Sequence, residues 1–463
     1  MVEHGAALSP RRFALRRWLR DCAWAALLIA LTNLPFWVLE LRYVVARPVF
    51  NADAAIALLL ASAAGAWWVL ALAMAWVLDL LQGLAVGFHF GSINNLLQSV
   101  RFLPHVDITG FLGPGLMVLV VVLGVCLAAV TWLRRRLQPA FSAVVAVLVV
   151  LTLLDVVNGS GLPLLLKKDV HGAVNLQGSP ALNVVAATLA RTSLEAAPPA
   201  DPDQRLQREL LDWAGAHRNG SLFFVVLESW GDYADPAVRD AVESALYDPE
   251  AVARWQISRR SVAFRGATTA GEIRLLCGST QHYSQIGATN QACLGVGLKR
   301  LGFSTVGLHG FSRFMFDREA WWPRLGLDKT VFEDNLGSAP APARCGTVLR
   351  GICDAHMVDA AANHLGPGRF VYLLTLDTHL PLAAVALTQQ ETVMCSQRRL
   401  SASVCQHAAQ MGRLIKKIVA VAATRQPTPL LVLAGDHSPP FFDGKDRSMF
   451  SSSQVPLVVA VPR

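Results

Sequence analysis

Charge is scarce in this chain. Of its 463 residues only 16% are Asp, Glu, Lys or Arg, while 53% are hydrophobic; a soluble protein carries about 25% charge. One ordinary soluble globule is therefore excluded. Other absences narrow the field further. No Cys-x-x-Cys occurs, which argues against a zinc ribbon or a thioredoxin-type site. There is no P-loop, no glycine-rich dinucleotide fingerprint and nothing resembling a helix-turn-helix. The net charge of +8 owes much to arginines near the N-terminus and is no argument for nucleic-acid binding. Internal repeats and long low-complexity tracts are also missing.

What is present divides into an apolar front and a globular back. Long apolar stretches cover about 22–40, 54–78, 109–133 and 140–158, each long enough to cross a bilayer as a helix. The stretch 79–100 is weaker, with Asp79, His89, Asn94 and Asn95 among its apolar residues. Arg11, Arg12, Arg16, Arg17 and Arg20 precede the first span, and Arg134, Arg135 and Arg136 follow the 109–133 span. Both clusters belong on the cytoplasmic side. Four spans would separate them, whereas five, counting 79–100, keep both inside and put everything after about 160 outside. The expectation is a five-span transmembrane domain over 1–160, with an interfacial helix as the alternative for 79–100. The first apolar segment lacks the pattern of a cleaved signal peptide.

Six of the eight cysteines lie in the back half: Cys277, Cys293, Cys345, Cys353, Cys395 and Cys405. An even number there suits three disulfides in an oxidising compartment, with neighbour pairing the simplest arrangement. A linker is expected over 161–214, with an interfacial amphipathic helix from Ser179 to Arg191 and a proline-rich hinge over 196–202.

Over 215–463, strand-like runs alternate with helical stretches at 236–247 and 403–423, which predicts an α/β domain with a mostly parallel sheet. Four short apolar runs each stop at a polar cluster. Phe223-Phe224-Val225-Val226-Leu227 runs into Glu228, and Ser304-Thr305-Val306-Gly307-Leu308 into His309. Phe370-Val371-Tyr372-Leu373-Leu374 is followed by Asp377 and His379, and Pro429-Leu430-Leu431-Val432-Leu433 by Asp436-His437. Continuous apolar runs mark strands buried on both faces, and ligands bind beyond their carboxyl ends. If the four are neighbours, these side chains converge on one crevice. The carboxylates and imidazoles suit a divalent ion, Mn²⁺ or Zn²⁺. Thr268, in Gly266-Ala267-Thr268-Thr269-Ala270-Gly271-Glu272, sits ahead of a predicted helix. A metal beside it would make its hydroxyl a nucleophile; the plainer alternative is that Thr268 or Thr269 only caps the helix. Arg318 offers a planar fork for phosphate oxygens.

Taken in order, Leu-Glu228-Ser-Trp-Gly, Thr268 in Thr-Thr-Ala-Gly-Glu, His309-Gly310 with Phe316-Asp317-Arg318-Glu319, Thr378-His379-Leu380-Pro381 and Gly435-Asp436-His437-Ser438 resemble the lipoteichoic acid synthase and phosphoglycerol transferase family. That family lies within the sulfatase and alkaline phosphatase superfamily. The resemblance implies Glu228, Thr268, Asp436 and His437 as metal ligands, with Thr268 also the nucleophile. His309, Arg318 and His379 would bind the phosphate of the transferred group, with Phe316 also in the substrate site, standing where the family often has Trp. The stretch 271–278 also resembles phosphoethanolamine transferases acting on glycans. The cysteines and the shorter interior depart from polymer-forming members and favour a Gram-negative glycan decorator.

The implied protein is a multi-pass enzyme of the bacterial inner membrane with a periplasmic catalytic domain. Its donor would be phosphatidylethanolamine or phosphatidylglycerol and its acceptor a glycan. The rivals are a phosphodiesterase of the same superfamily and a non-catalytic scaffold in a glycan-export complex. Sulfatases require a Cys/Ser-x-Pro-x-Arg stretch, which this chain does not contain.

Overall fold

A computed structural model of the chain describes residues 10–43, 45–46, 50–61, 65–107, 114–158, 174–175, 178–182, 184–185, 201–287, 293–336 and 342–463. They form two compact units. The first comprises Met1–Gly87, Ser92–Leu96 and Leu112–Thr192, the second Phe88–Gly91, Leu97–Phe111 and Ser193–Arg463.

The first unit is helical, with Pro10–Tyr43, Ala52–Leu60, Trp67–Gly87, Pro114–Leu137 and Phe141–Asn158 as its main elements. Leu28, Ile29, Leu58, Leu72, Trp76 and Val130 form its core. Two buried polar contacts tie its helices together: the Asn51 backbone N–H donates to Asn33 Oδ1 (2.8 Å), and Trp76 Nε1 donates to the Thr32 carbonyl (2.9 Å). Such pairing offsets the cost of removing polar groups from water.

The stretches expected at 22–40 and 140–158 fall inside single helices. The stretch at 54–78 does not, because Gly65 takes a left-handed backbone (φ 55°), which no continuous right-handed helix contains. The stretch at 79–100 is also broken. Its first part finishes the Trp67–Gly87 helix, and His89 (φ 61°) and Gly91 (φ 74°) then end it before Ile93–Ser99. Among the described residues, one helix, Trp67–Gly87, is long and apolar enough to cross a membrane. Of the expected interfacial helix, Ser179 and Ala181 hydrogen-bond to Asp53; 183 and 186–191, like the hinge at 196–200, lie outside the described residues.

The second unit is built on a seven-stranded sheet. In chain order the strands are β1 (Ser221–Leu227), β2 (Trp255–Ala263), β3 (Ser304–His309), β4 (Lys329–Val331), β5 (Arg369–Leu374), β6 (Leu430–Gly435) and β7 (Gln454–Pro462). The spatial order is β2-β7-β6-β1-β5-β3-β4. From β6 to β4 every pairing is parallel, and β7 runs antiparallel to both its neighbours. The expected mostly parallel sheet is thus present. The four apolar runs that end in polar clusters are consecutive neighbours, in the order β6, β1, β5, β3.

Each inner strand is buried along nearly its whole length, so both sheet faces need cover. On one face lies α4 (Ala402–Ala423), which presents Val404, Met411, Ile415 and Ile418 to a core with Phe223, Val225 and Leu433. The other face receives α1 (Asp201–Ala216) and α2 (Thr268–Cys277), whose Leu206, Leu210, Ile273 and Leu276 pack on Phe224, Tyr372 and Val432. Helix α1, expected in the linker, therefore packs into the core of the sheet unit. The disulfides are Cys277–Cys293, Cys345–Cys353 and Cys395–Cys405, the neighbour pairing expected from the sequence.

Candidate metal and phosphoryl-transfer site

Register decides which side chains meet. Leu227 pairs with Gly435 across β1 and β6, so the next residues, Glu228 and Asp436, leave the sheet side by side. Both are buried, 2% and 0% exposed, together with His437 at 4%. His437 Nε2 lies 3.5 Å from Glu228 Oε1 and 3.4 Å from Asp436 Oδ2. His437 Nδ1 donates to the Ser438 carbonyl (3.0 Å), and Nε2 is the ring nitrogen turned toward the two carboxylates.

Thr268 is the first residue of α2. The capping position belongs to Ala267, so Thr268 is not the helix cap. Its hydroxyl instead donates to Glu228 Oε2 (3.0 Å) and lies 3.4 Å from His437 Nε2. All four expected ligands therefore share one site. Helix α2 approaches the β6 loop backbone to backbone: a Cβ on Gly271 would stand 2.8 Å from Asp436 Cβ and 2.9 Å from its Cα. Arg274, one turn further along, fixes this contact by donating to the Asp436 carbonyl (3.1 Å).

The donor set fits a divalent cation. Asp436 Oδ2 is buried and has no hydrogen-bond partner. Burial raises the Asp436 carboxyl to about 7, and the charge of Glu228 adds to the effect. Burial also raises Glu228. Two neighbouring buried carboxylates are costly unless a cation pairs with them. Glu228, Asp436 and His437 offer ligand atoms within 4.8 Å of one another.

The expected phosphate-binding residues are placed as follows. His309, at the end of β3, donates from Nδ1 to the Leu374 carbonyl (3.0 Å). Its imidazole is lowered to about 3, by burial first and by the Arg318 charge second. Arg318 is buried against Glu272, with Nε at 3.1 Å and Nη2 at 2.9 Å from Oε2. Glu272 follows Thr268 by one helical turn, so this pair stands beneath Thr268. Only Nη1 of Arg318 is left, with a long 3.4 Å bond to the Met315 carbonyl. Phe316 takes a left-handed backbone (φ 55°) and sets its ring 5.5 Å from the Arg318 guanidinium carbon. His379 lies on the loop after β5, lowered to about 4 by burial. Asp377 turns aside: its Oδ2 accepts from the N–H of Asp354 (2.9 Å), at the start of α3 (Asp354–Ala362).

Sequence reasoning missed two supports. Ser229 adopts a left-handed backbone (φ 57°), which costs a non-glycine residue on the order of 1–3 kcal/mol. In return its hydroxyl donates to Glu228 Oε1 (2.8 Å) and its N–H to Asp436 Oδ1 (2.8 Å). His407, from α4, holds this turn by donating from Nε2 to the Ser229 carbonyl (3.0 Å), while Tyr233 donates its hydroxyl to His407 Nδ1 (2.8 Å). Nothing in the spacing of His407, on the apolar face of a helix, marks it as part of the site.

This arrangement defines an α/β domain with a buried carboxylate and histidine cluster, able to hold a metal ion, at the carboxyl ends of parallel strands. Residues 253–463 match the family model for sulfatase. No curated protein matches the chain. Solved structures that resemble it include the phosphoglycerol transferase GacH of Streptococcus pyogenes in complex with sn-glycerol-1-phosphate (13% identity, 55% of this chain and 74% of that one, TM-score 0.36). Another is the lipoteichoic acid synthase LtaP of Listeria monocytogenes (12%, 57% and 71%, 0.36). A third is the C-terminal periplasmic domain of EcEptC from Escherichia coli, as a complex with Zn (11%, 54% and 74%, 0.35). Likenesses of this strength carry no argument about activity.

Proposed function

We propose that this protein is a membrane-bound, metal-dependent phosphotransferase that moves a phospholipid headgroup, phosphoethanolamine or phosphoglycerol, onto a glycan hydroxyl. The observation that carries the reading is the position of the Thr268 hydroxyl. It lies 3.0 Å from Glu228 and 3.4 Å from His437, at the end of the cluster that fits a divalent ion. A threonine nucleophile, with no Cys/Ser-x-Pro-x-Arg stretch in the chain, favours phosphoryl over sulfuryl chemistry.

Glu228, Asp436 and His437, with Thr268, would hold the ion. When bound, Mn²⁺ or Zn²⁺ would lower the pKa of the Thr268 hydroxyl and neutralise charge on the phosphoryl oxygens. Thr268 Oγ1 then attacks phosphorus. The ester bond to diacylglycerol breaks, and the proton lost from Thr268 ends on the diacylglycerol oxygen. A phospho-threonine intermediate remains, carrying ethanolamine or glycerol. In the second half, the acceptor oxygen attacks phosphorus, the bond to Thr268 breaks, and the acceptor's proton returns to the threonine. Arg318 Nη1, held by the Glu272 pair, supplies positive charge beside the phosphoryl group. The work is done on the periplasmic side of the bacterial inner membrane, with the donor lipid in the same bilayer as the enzyme.

Thr268→Ala in the full chain tests this. Mass spectrometry of glycans from cells should show a phosphoethanolamine or phosphoglycerol mass with the wild type and none with the variant, whose melting curve stays native. Glycan modification that persists in the variant would overturn the covalent route. Headgroup release to water with no glycan product would instead identify a phosphodiesterase, and purified protein with no stoichiometric metal would identify a scaffold.

A further inference from the structure

The second unit includes Phe88–Gly91, a segment far from the sheet domain in sequence. His89 within it reaches the candidate metal site. Its Nε2 lies 3.0 Å from the Ser438 carbonyl. The same oxygen accepts from His437 Nδ1, also at 3.0 Å. A carbonyl only accepts, so Nε2 of His89 must carry the hydrogen. The His89 ring is 5.2 Å from the His437 ring and stands edge-on to Phe264 at 5.3 Å. The backbone of His89 is left-handed (φ 61°), a conformation costly outside glycine and kept where its surroundings fix it.

We infer that His89 is a positioning residue for the metal ligand His437, acting through the Ser438 carbonyl that both imidazoles share. By pinning that oxygen, His89 fixes the acceptor that selects the His437 tautomer and aims Nε2 at Glu228 and Asp436. Groups that orient a ligating histidine in this way typically govern metal affinity by 10–100-fold. The ion site is then incomplete without residues from the first quarter of the chain. This inference rests on the proposed metal site, but its test reads metal binding directly and needs no turnover.

The test uses the full-length protein with His89→Leu and His89→Gln. Leucine removes the donor; glutamine carries an amide N–H at about the reach of the imidazole Nε2. Zn²⁺ affinity is measured by competition with a chromophoric chelator, with circular dichroism to verify the fold. The expected result is a Zn²⁺ affinity lowered about 10-fold or more in His89→Leu, and largely restored in His89→Gln. Affinity unchanged in His89→Leu would overturn the inference, as would an equal loss in both variants. If His89→Leu fails to fold, His89→Gln alone decides: near-native Zn²⁺ affinity supports the inference, and a loss as large as that of Asp436→Asn overturns it. Stoichiometric Zn²⁺ absent from the wild type as well would instead remove the metal site itself.

Discussion

Glu272 and Arg318 form an ion pair with almost no solvent around it: Oε2 lies 2.9 Å from Nη2, with side-chain exposures of 0% and 3%. The other carboxylate oxygen accepts from Trp322 Nε1 (3.0 Å) and from the Tyr372 hydroxyl (3.1 Å). Three side chains thus depend on one carboxylate, a turn below Thr268. Glu272→Ala should lower unfolding stability by roughly 3–5 kcal/mol, because it leaves a buried guanidinium unpaired. The double variant Glu272→Met with Arg318→Met should lose less than Glu272→Ala, since it leaves no buried charge without a partner. Urea denaturation of the three proteins checks the order. A double variant less stable than Glu272→Ala would contradict it.

Gly271→Ala should damage the site more than the fold. Its Cβ would meet the Asp436 backbone at 2.9 Å, so α2 or the β6 loop must shift by a few tenths of an ångström. Thr268 moves with α2 and Asp436 with the loop, so the distance between the Thr268 hydroxyl and the Asp436 carboxylate changes. Since sub-ångström misplacement is costly to a reaction that depends on aligned groups, headgroup transfer should fall by about 10²-fold. Melting temperature should move little. Wild-type turnover in this variant would show that the close approach is dispensable.

His407 gives a pH test with a definite sign. Burial lowers its imidazole from 6.5 to about 4. The unfolded chain therefore binds a proton below 6.5 that the folded one refuses until about 4. The stability of the neutral form is complete above 6.5 and is lost as pH falls toward 4. The raised carboxyls Asp436 and Asp377 act in the opposite sense, so the quantity to read is a difference between two proteins. His407→Phe removes the titration. Its stability deficit relative to wild type should shrink by about 2–3 kcal/mol between pH 7.5 and 4.5. A deficit independent of pH would mean that the proton on His407 plays no part in folding.

The convergence of Glu228, Asp436 and His437 was legible because it is a local code. A buried parallel strand must be apolar throughout, so the first polar residue after it marks the carboxyl end where ligands collect. The cysteine pairing was legible for a similar reason, since close partners leave few alternatives. What stayed hidden is non-local. His407 looks like one more residue on a helix's apolar face, and only the fold brings it to Ser229. Glu272 was visible as part of a motif, but not as the partner that takes two nitrogens of Arg318. His89 was noticed as a polar interruption in an apolar stretch; its link to Ser438 spans 349 positions. The helix boundaries at 54–100 were missed because left-handed residues such as His89 leave no hydrophobic signature.

The antiparallel strand β7 lies between β6 and β2, so it seals the flank of the strand that ends in Asp436 and His437. Ribosomal synthesis delivers residues 454–462 after every ligand has already emerged. Until they arrive, β6 has a bare edge and β2 has no neighbour. A growing chain should therefore assemble the Glu228, Asp436 and His437 cluster only late, and a protease that removes 454–462 would disturb that cluster while leaving each of its side chains chemically intact.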